Sequence, residues 1–176
     1  MRQIMLLWLL SNLAGCAMFG PPSIDYPRSD IEKKAFIDRK SGEFGKLFAG
    51  LDQVGLAGPE VGFMTASQRI ELAWTAKLPD APFGWPLSIR IAISGSPKLN
   101  ASKQGVDLTD VRLEEFNMPS IPLVNLGGTD MREGTLMDSI PLLQFDPDEL
   151  RRNGVVYQAD KIRLDFFGLH VNLLPK

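Results

Sequence analysis

The sequence predicts an α+β domain in which a curved antiparallel β-sheet with meander topology packs on one helix near the amino terminus. A helix-start signal stands at Ser29–Glu32, and apolar and polar residues then alternate with period two over long segments between residues 51 and 118. Turn-forming residues separate these segments and leave no room for crossover helices. Short connections between amphipathic strands are typical of antiparallel sheets.

The predicted helix runs from Asp30 to about Lys40. Ser29 and Glu32 have the spacing of a capping box, in which the serine oxygen accepts a backbone N–H and the glutamate reaches back to the cap. Ser41-Gly42 then ends the helix. We expect this helix to cover one face of the sheet.

Two central segments have the clearest alternation. Arg69–Leu78 places apolar side chains on one face and Arg69, Glu71, Thr75 and Lys77 on the other, and Leu87–Ser94 repeats the pattern. Four turn-forming residues lie in Pro79–Pro86 between them. The pattern predicts two half-buried antiparallel strands.

The next strand begins at Val106 and its alternation slips by one residue near Asp110, which predicts a β-bulge. Farther along, Asp146-Pro147 has the cap and first-turn proline of a helix that would end at Asn153-Gly154. The chain is then predicted to end in one bent strand or a tight hairpin, since two alternating runs meet at Gly168.

The amino terminus has the pattern of a bacterial lipoprotein leader. Arg2 precedes a short apolar run, and Leu13-Ala14-Gly15-Cys16 resembles a lipobox, in which the cysteine thiol receives lipid. The run is less than half the roughly 20 residues that cross a bilayer as a helix. Cys16 is the only cysteine, so no disulfide within the chain explains it. We expect acyl chains on Cys16 to anchor the protein to a membrane.

These patterns divide the chain into a signal peptide at residues 1–15, the lipidated cysteine and a tether at 16–28, and a single domain at 29–176. Ala17 stands where lipoproteins that stay at the inner membrane typically carry Asp. By that resemblance the outer membrane, facing the periplasm, is the expected location.

Composition excludes several classes of function. A net charge of −2 gives no basic footprint for nucleic acid. His170 is the single histidine, is expected on the polar face of the last strand and has no cysteine nearby to share a metal. Ser94-Gly95-Ser96-Pro97 lacks the frame of a nucleophile elbow. We therefore expect no catalytic residues, no metal and no cofactor.

The chain resembles the YceB-like family of uncharacterised bacterial lipoproteins, most specifically at Gly55–Val61 and in the closing segment from Ala159 to Leu174. The resemblance implies half of a TULIP-like (tubular lipid-binding) module, in which a curved sheet wraps a long helix and leaves an apolar groove. Prolines and glycines between Asn117 and Phe145 allow at most Asp130–Ile140 to be helical. The long helix is therefore expected to be shortened or missing.

Two functions remain open. In the first, the apolar sheet face binds or passes a lipid or another apolar ligand, with the candidate contacts Leu72, Trp74, Ile89 and Ile91. The same residues equally suit a dry core packed on the helix, since periodicity cannot distinguish the two. In the second function, the domain is a non-enzymatic adaptor or structural lipoprotein that docks on another envelope protein.

The loop between the two central strands contains a second candidate contact. Phe83 and Trp85 are large aromatic residues in a turn, where few positions bury both rings. They are interpreted either as a contact with a membrane or partner, or as a cover over the end of the sheet.

Overall fold

The computed structural model describes residues 21–38, 57–78, 87–117 and 135–176. These residues form one helix, α1 (Arg28–Asp38), and nine strands. In chain order the strands are β1 (Ser23–Pro27), β2 (Glu60–Met64), β3 (Arg69–Leu78), β4 (Leu87–Leu99), β5 (Gly105–Asn117), β6 (Thr135–Gln144), β7 (Arg151–Arg152), β8 (Val155–Leu164) and β9 (Gly168–Pro175).

The strands form two antiparallel sheets. Five strands follow one another as a meander in the order β2-β3-β4-β5-β6, and this sheet curls into a half barrel. The second sheet has the order β1-β9-β8-β7 and contacts the first between β4 and β8. The α+β class, the antiparallel meander and the curvature are therefore confirmed, whereas the second sheet was not expected.

Period-two alternation builds the core between the sheets. On the five-stranded sheet, Leu72 pairs with Ile93 and Trp74 with Ile91, so four large apolar side chains lie side by side on the inner face. Leu169, a residue of the other sheet, belongs to the same buried cluster. Each large side chain buried in this way stabilises the fold by about 1.5–3 kcal/mol.

Helix α1 bridges the two edges of the half barrel. It contacts both β2 and β6, which are the first and last strands of that sheet. Ile31 of the helix is fully buried. Glu32 Oε1 accepts a hydrogen bond from the Val61 backbone at 3.3 Å, and Lys34 Nζ donates to the Gln144 carbonyl at 2.6 Å. The predicted capping box is wrong, because Ser29 lies inside the helix and Glu32 binds a strand edge instead.

Strand β1 lies within the predicted tether. Ser23–Pro27 pairs with β9, from Ser23 opposite Asn172 to Pro27 opposite Gly168. The folded region therefore begins at or before Ser23 and not at Ser29. The pairing partners stand almost 150 positions apart in the chain, so no local pattern around this short strand could indicate them.

The predicted bulge at Asp110 is confirmed. The register between β4 and β5 shifts across this point, and Asp110 has a φ of 51°, a left-handed conformation that aspartate tolerates better than most residues. Arg69 holds it there: one guanidinium nitrogen donates to Asp110 Oδ2 at 3.0 Å and another to the Asp110 carbonyl at 2.8 Å. Arg69 is only 8% exposed, although the alternation places it on the polar face of its strand.

Among the described residues, the possible lid helix does not extend past residue 134, and the helix predicted from Asp146 does not form. Residues 135–140, the second half of the possible lid helix, belong to β6, and Pro141 fits there because β6 is an edge strand of the sheet. The helix predicted from Asp146 is only a turn. The turn ends at Leu150 and β7 follows. Asn153 and Gly154, with φ of 51° and 78°, form a tight hairpin between β7 and β8.

The closing segment is a hairpin of β8 and β9, one of the two predicted forms. Its glycine is required: a Cβ on Gly168 would lie 2.5 Å from the Tyr26 carbonyl oxygen of β1. Strand β8 ends at Leu164, so Phe166 lies in the turn and does not continue the alternation of Ile162 and Leu164 into the core.

Candidate functional site

The predicted ligand face is core. Leu72 and Trp74 are fully buried, and Ile91 is 5% exposed. All three belong to one cluster that includes residues of β1, α1, β8 and β9. These three side chains therefore lie in the core that the two sheets and the helix enclose, and among the described residues they have little or no exposed surface.

The remaining predicted site residues cannot be placed. Cys16, Phe83 and Trp85 lie outside the described residues, and so does the side chain of Ile89, whose backbone pairs with Ala76. Acylation at Cys16 and a contact role for the aromatic loop therefore stay predictions.

The most exposed large apolar residues of the described part lie at the turn of the β8–β9 hairpin. Phe166 is 79% exposed and Phe167 is 85% exposed, and we call this pair the aromatic tip. Asp165 Oδ1 accepts hydrogen bonds from the backbone N–H groups of Phe167 at 2.9 Å and Gly168 at 3.3 Å. One carboxylate thus fixes the backbone from which the rings project.

His170 ties the base of this turn to β1. Its Nδ1 lies 2.6 Å from Asp25 Oδ1, and its Nε2 lies 2.9 Å from Asp165 Oδ2. The hydrogen bond to Asp25, followed by that to Asp165, raises the pKa of His170 above its ordinary value. The interaction with His170 lowers the pKa of Asp165. The side chain expected on the polar face of the last strand is thus only 19% exposed, because it lies between two carboxylates.

A cavity of about 290 Å³ lies at the opposite end of the same hairpin. Tyr157, which pairs with Pro175, lines it together with the buried Phe145. Three cations also line it, and so does Val156, which is 45% exposed. We call these four residues the basic end: Lys103, Arg151, Lys176 and Val156.

The three cations of the basic end lie apart from the acidic side chains that the structure describes. In the described parts of the chain, no carboxylate forms an ion pair with Lys103, Arg151 or Lys176, and no Asp or Glu side chain lines the cavity. Glu149 of the nearby acidic turn is already hydrogen-bonded elsewhere: it accepts from the Tyr26 hydroxyl and from the Asp146 backbone N–H, both at 2.8 Å. Burial and this contact with Glu149 raise the pKa of Tyr26, so it stays a neutral donor.

The described residues include no group of three or more His, Cys, Asp and Glu side chains arranged for a metal ion. Ser94, the one serine weighed as a nucleophile, is buried, accepts from Arg69 Nε at 2.8 Å and donates to Glu114. Within the same ranges no helix is both long and apolar enough to cross a membrane.

No protein-family model, no curated protein and no solved structure matches this chain. The resemblance to the YceB-like family therefore stays a prediction.

Proposed function

We propose that this chain is a lipid-anchored envelope protein that docks an acidic segment of a partner protein on its basic end, without a catalytic step of its own. Acyl chains on Cys16 hold it on a membrane surface, and Ala17 favours the outer membrane facing the periplasm. The observation that carries the proposal is the combination of three cations, which form no ion pair among the described residues, with the exposed Val156 around one cavity.

The chemistry of the basic end suits a protein segment better than a lipid. Its cavity of about 290 Å³ lies at the lower limit of small-molecule sites, which is too small for a long acyl chain. Apolar side chains surrounded by cations resemble a protein interface, where charge complementarity chooses the partner. A partner with carboxylates around one apolar side chain would fill the cavity and neutralise Lys103, Arg151 and Lys176.

Site-directed photo-cross-linking in cells tests this proposal. A photoreactive residue at Val156 is expected to give one discrete protein adduct, whereas the same residue at the exposed Asp138 of β6 gives none. Reversing charge with Arg151→Glu and Lys176→Glu should abolish that adduct, because the acidic partner is then repelled. An adduct that survives charge reversal, or an adduct with lipid alone, would overturn the proposal.

The lipid carrier is the second candidate function, and the curl of the five-stranded sheet favours it. In that case the chain would be half of a TULIP-like module and an acyl chain would lie along the apolar face. Leu72 and Trp74 would have to separate from the buried cluster to admit it, since neither side chain has exposed surface. A lipid bound in stoichiometric amount would favour this candidate over docking.

A further inference from the structure

The aromatic tip exposes two adjacent phenylalanine rings that the fold leaves uncovered. Phe166 and Phe167 are 79% and 85% exposed, although the chain buries most of its other large apolar residues in the described part. An exposed apolar pair on a projecting turn is typical of a surface that contacts another molecule or a membrane. Packing in the core therefore does not explain why two phenylalanine rings occupy this turn.

The tip is held in position before it meets anything. Asp165 binds two backbone N–H groups of the turn and donates its own N–H to the Gly168 carbonyl at 3.0 Å. His170 then connects Asp165 to Asp25 of β1. Because the backbone is already ordered, placing the rings in an apolar environment loses little conformational entropy.

The surroundings of the tip suit a bilayer interface. Arg163 is 71% exposed beside it and reaches Asp165 at 3.4 Å, and the exposed Met64 lies in the neighbouring β2–β3 turn region. Gln68 joins the two turns by donating to the Leu164 carbonyl at 3.4 Å. Exposed apolar side chains with an exposed arginine close by in the chain suit the acyl boundary and the phosphate layer of a membrane.

The anchor brings this end within reach of the same membrane. Seven residue steps from Cys16 to Ser23 span at most roughly 25 Å. From Ser23 to Pro27, whose partner Gly168 closes the turn, β1 extends only about 13 Å. The tip can therefore touch the bilayer that holds the acyl chains. Ser23 pairs with Asn172, three residues before Pro175, so the basic end is equally within reach, and the exposure of the two rings distinguishes the ends.

We propose that Phe166 and Phe167 insert into the interfacial layer of the anchoring membrane, which turns the basic end away from the surface. The two ends lie about 20 Å apart along the β8–β9 hairpin, from the Leu164–Leu169 pair to the Tyr157–Pro175 pair. This orientation rests on the proposed anchor at Cys16. It presents the cavity to partners in the aqueous compartment.

Fluorescence of single labels tests the orientation in the full-length acylated protein. Phe167→Cys introduces the one free thiol for an environment-sensitive dye, because acylation blocks Cys16, the only native cysteine. Val156→Cys is the matched control, an exposed apolar residue at the other end of the hairpin. In vesicles of phosphatidylethanolamine and phosphatidylglycerol, the dye at 167 should shift to the blue and be quenched several-fold more by shallow spin-labelled lipid than the dye at 156.

Each other outcome overturns the insertion. Equal exposure of both dyes to water would show that the tip stays outside the bilayer, and quenching at 156 alone would show the reverse orientation. Shielding at 167 in native membranes but not in pure lipid would assign the tip to a protein partner. Failure of the anchor is distinguished separately, since unacylated Cys16 would take up a second dye and lack the acyl mass.

Discussion

Two apolar segments of this protein with the same alternating pattern differ in burial. Trp74 lies on a sheet face for which a ligand groove and a dry core were equally expected, and it is fully buried, whereas Phe166 follows the alternating Ile162 and Leu164 and is 79% exposed. Trp74 belongs to a buried cluster with residues of both sheets, and Phe166 is exposed because a turn intervenes. Alternation thus defines which side chains share a face but not what covers that face.

The largest expected effect is loss of stability on truncating the buried ring. Trp74→Ala should lower the free energy of unfolding by about 3–5 kcal/mol, because the cavity left in a packed core is only partly refilled. Thr75→Ala, on the opposite face of the same strand, is the control and should cost about 1 kcal/mol or less. Chemical denaturation measures both. Equal small losses would mean that Trp74 faces an open groove after all.

A second comparison sets a buried arginine against an exposed one. Arg69→Met should cost about 1–3 kcal/mol, because it removes several charge-assisted hydrogen bonds that hold the bulge. Arg112→Met removes a contact with the same Asp110 from a side chain that is 55% exposed, and should cost at most about 1 kcal/mol. Denaturation midpoints compare the two variants, and a reversed order would contradict the described network.

The clamp beneath the aromatic tip should make stability depend on pH. His170 has a raised pKa when folded, so its contribution is complete below its ordinary value of 6.5 and is lost as the pH rises through the folded pKa. Asp165 has a lowered pKa, so its contribution is present above 3.8 and is lost as the pH falls through the folded pKa. The clamp is therefore strongest between pH 3.8 and 6.5.

His170→Gln removes the titrating group but keeps a hydrogen-bond donor. The melting temperature of the native protein should decrease as the pH is raised from about 6 to about 8. This dependence on pH should be weaker in the variant, since His170 is the only histidine. Asp25→Asn should weaken the slope in the same direction. If the variant kept the full slope, another group would be responsible.

The smallest effect on stability is expected at the tip itself. Phe166→Ser together with Phe167→Ser should change the free energy of unfolding by no more than about 1 kcal/mol, because both rings already lie in solvent. The same variant should release the tip from vesicles. A loss comparable to that of Trp74→Ala would mean that the rings pack on part of the chain.

The sequence was sufficient for the features that depend on local patterns. Strands β3 and β4 and the bulge at Asp110 were predicted because each leaves a periodic signal within about a dozen residues. The helix near Asp30 was also predicted, although the capping box that indicated its start does not form. The Asn153-Gly154 pair was equally informative, since this dipeptide is a strong hairpin signal. It was instead interpreted as the end of a helix.

Features that depend on distant contacts were beyond such patterns. Strand β1 pairs with the last strand of the chain, and Arg69 is buried by hydrogen bonds to residues 25 and 41 positions away. The basic end likewise joins segments near residues 103, 151 and 176. None of these proximities has a counterpart in local periodicity, so only the folded arrangement reveals them.

The native mass of the mature protein, extracted gently from its own membrane, tests most directly whether the chain is an anchored protein with a closed core. We predict a chain that begins at Cys16, carries covalent acyl groups and retains no further lipid in stoichiometric amount. A chain with its leader intact or with Cys16 unmodified would contradict the anchor. A second, non-covalent lipid on every molecule would contradict the closed core and favour the carrier.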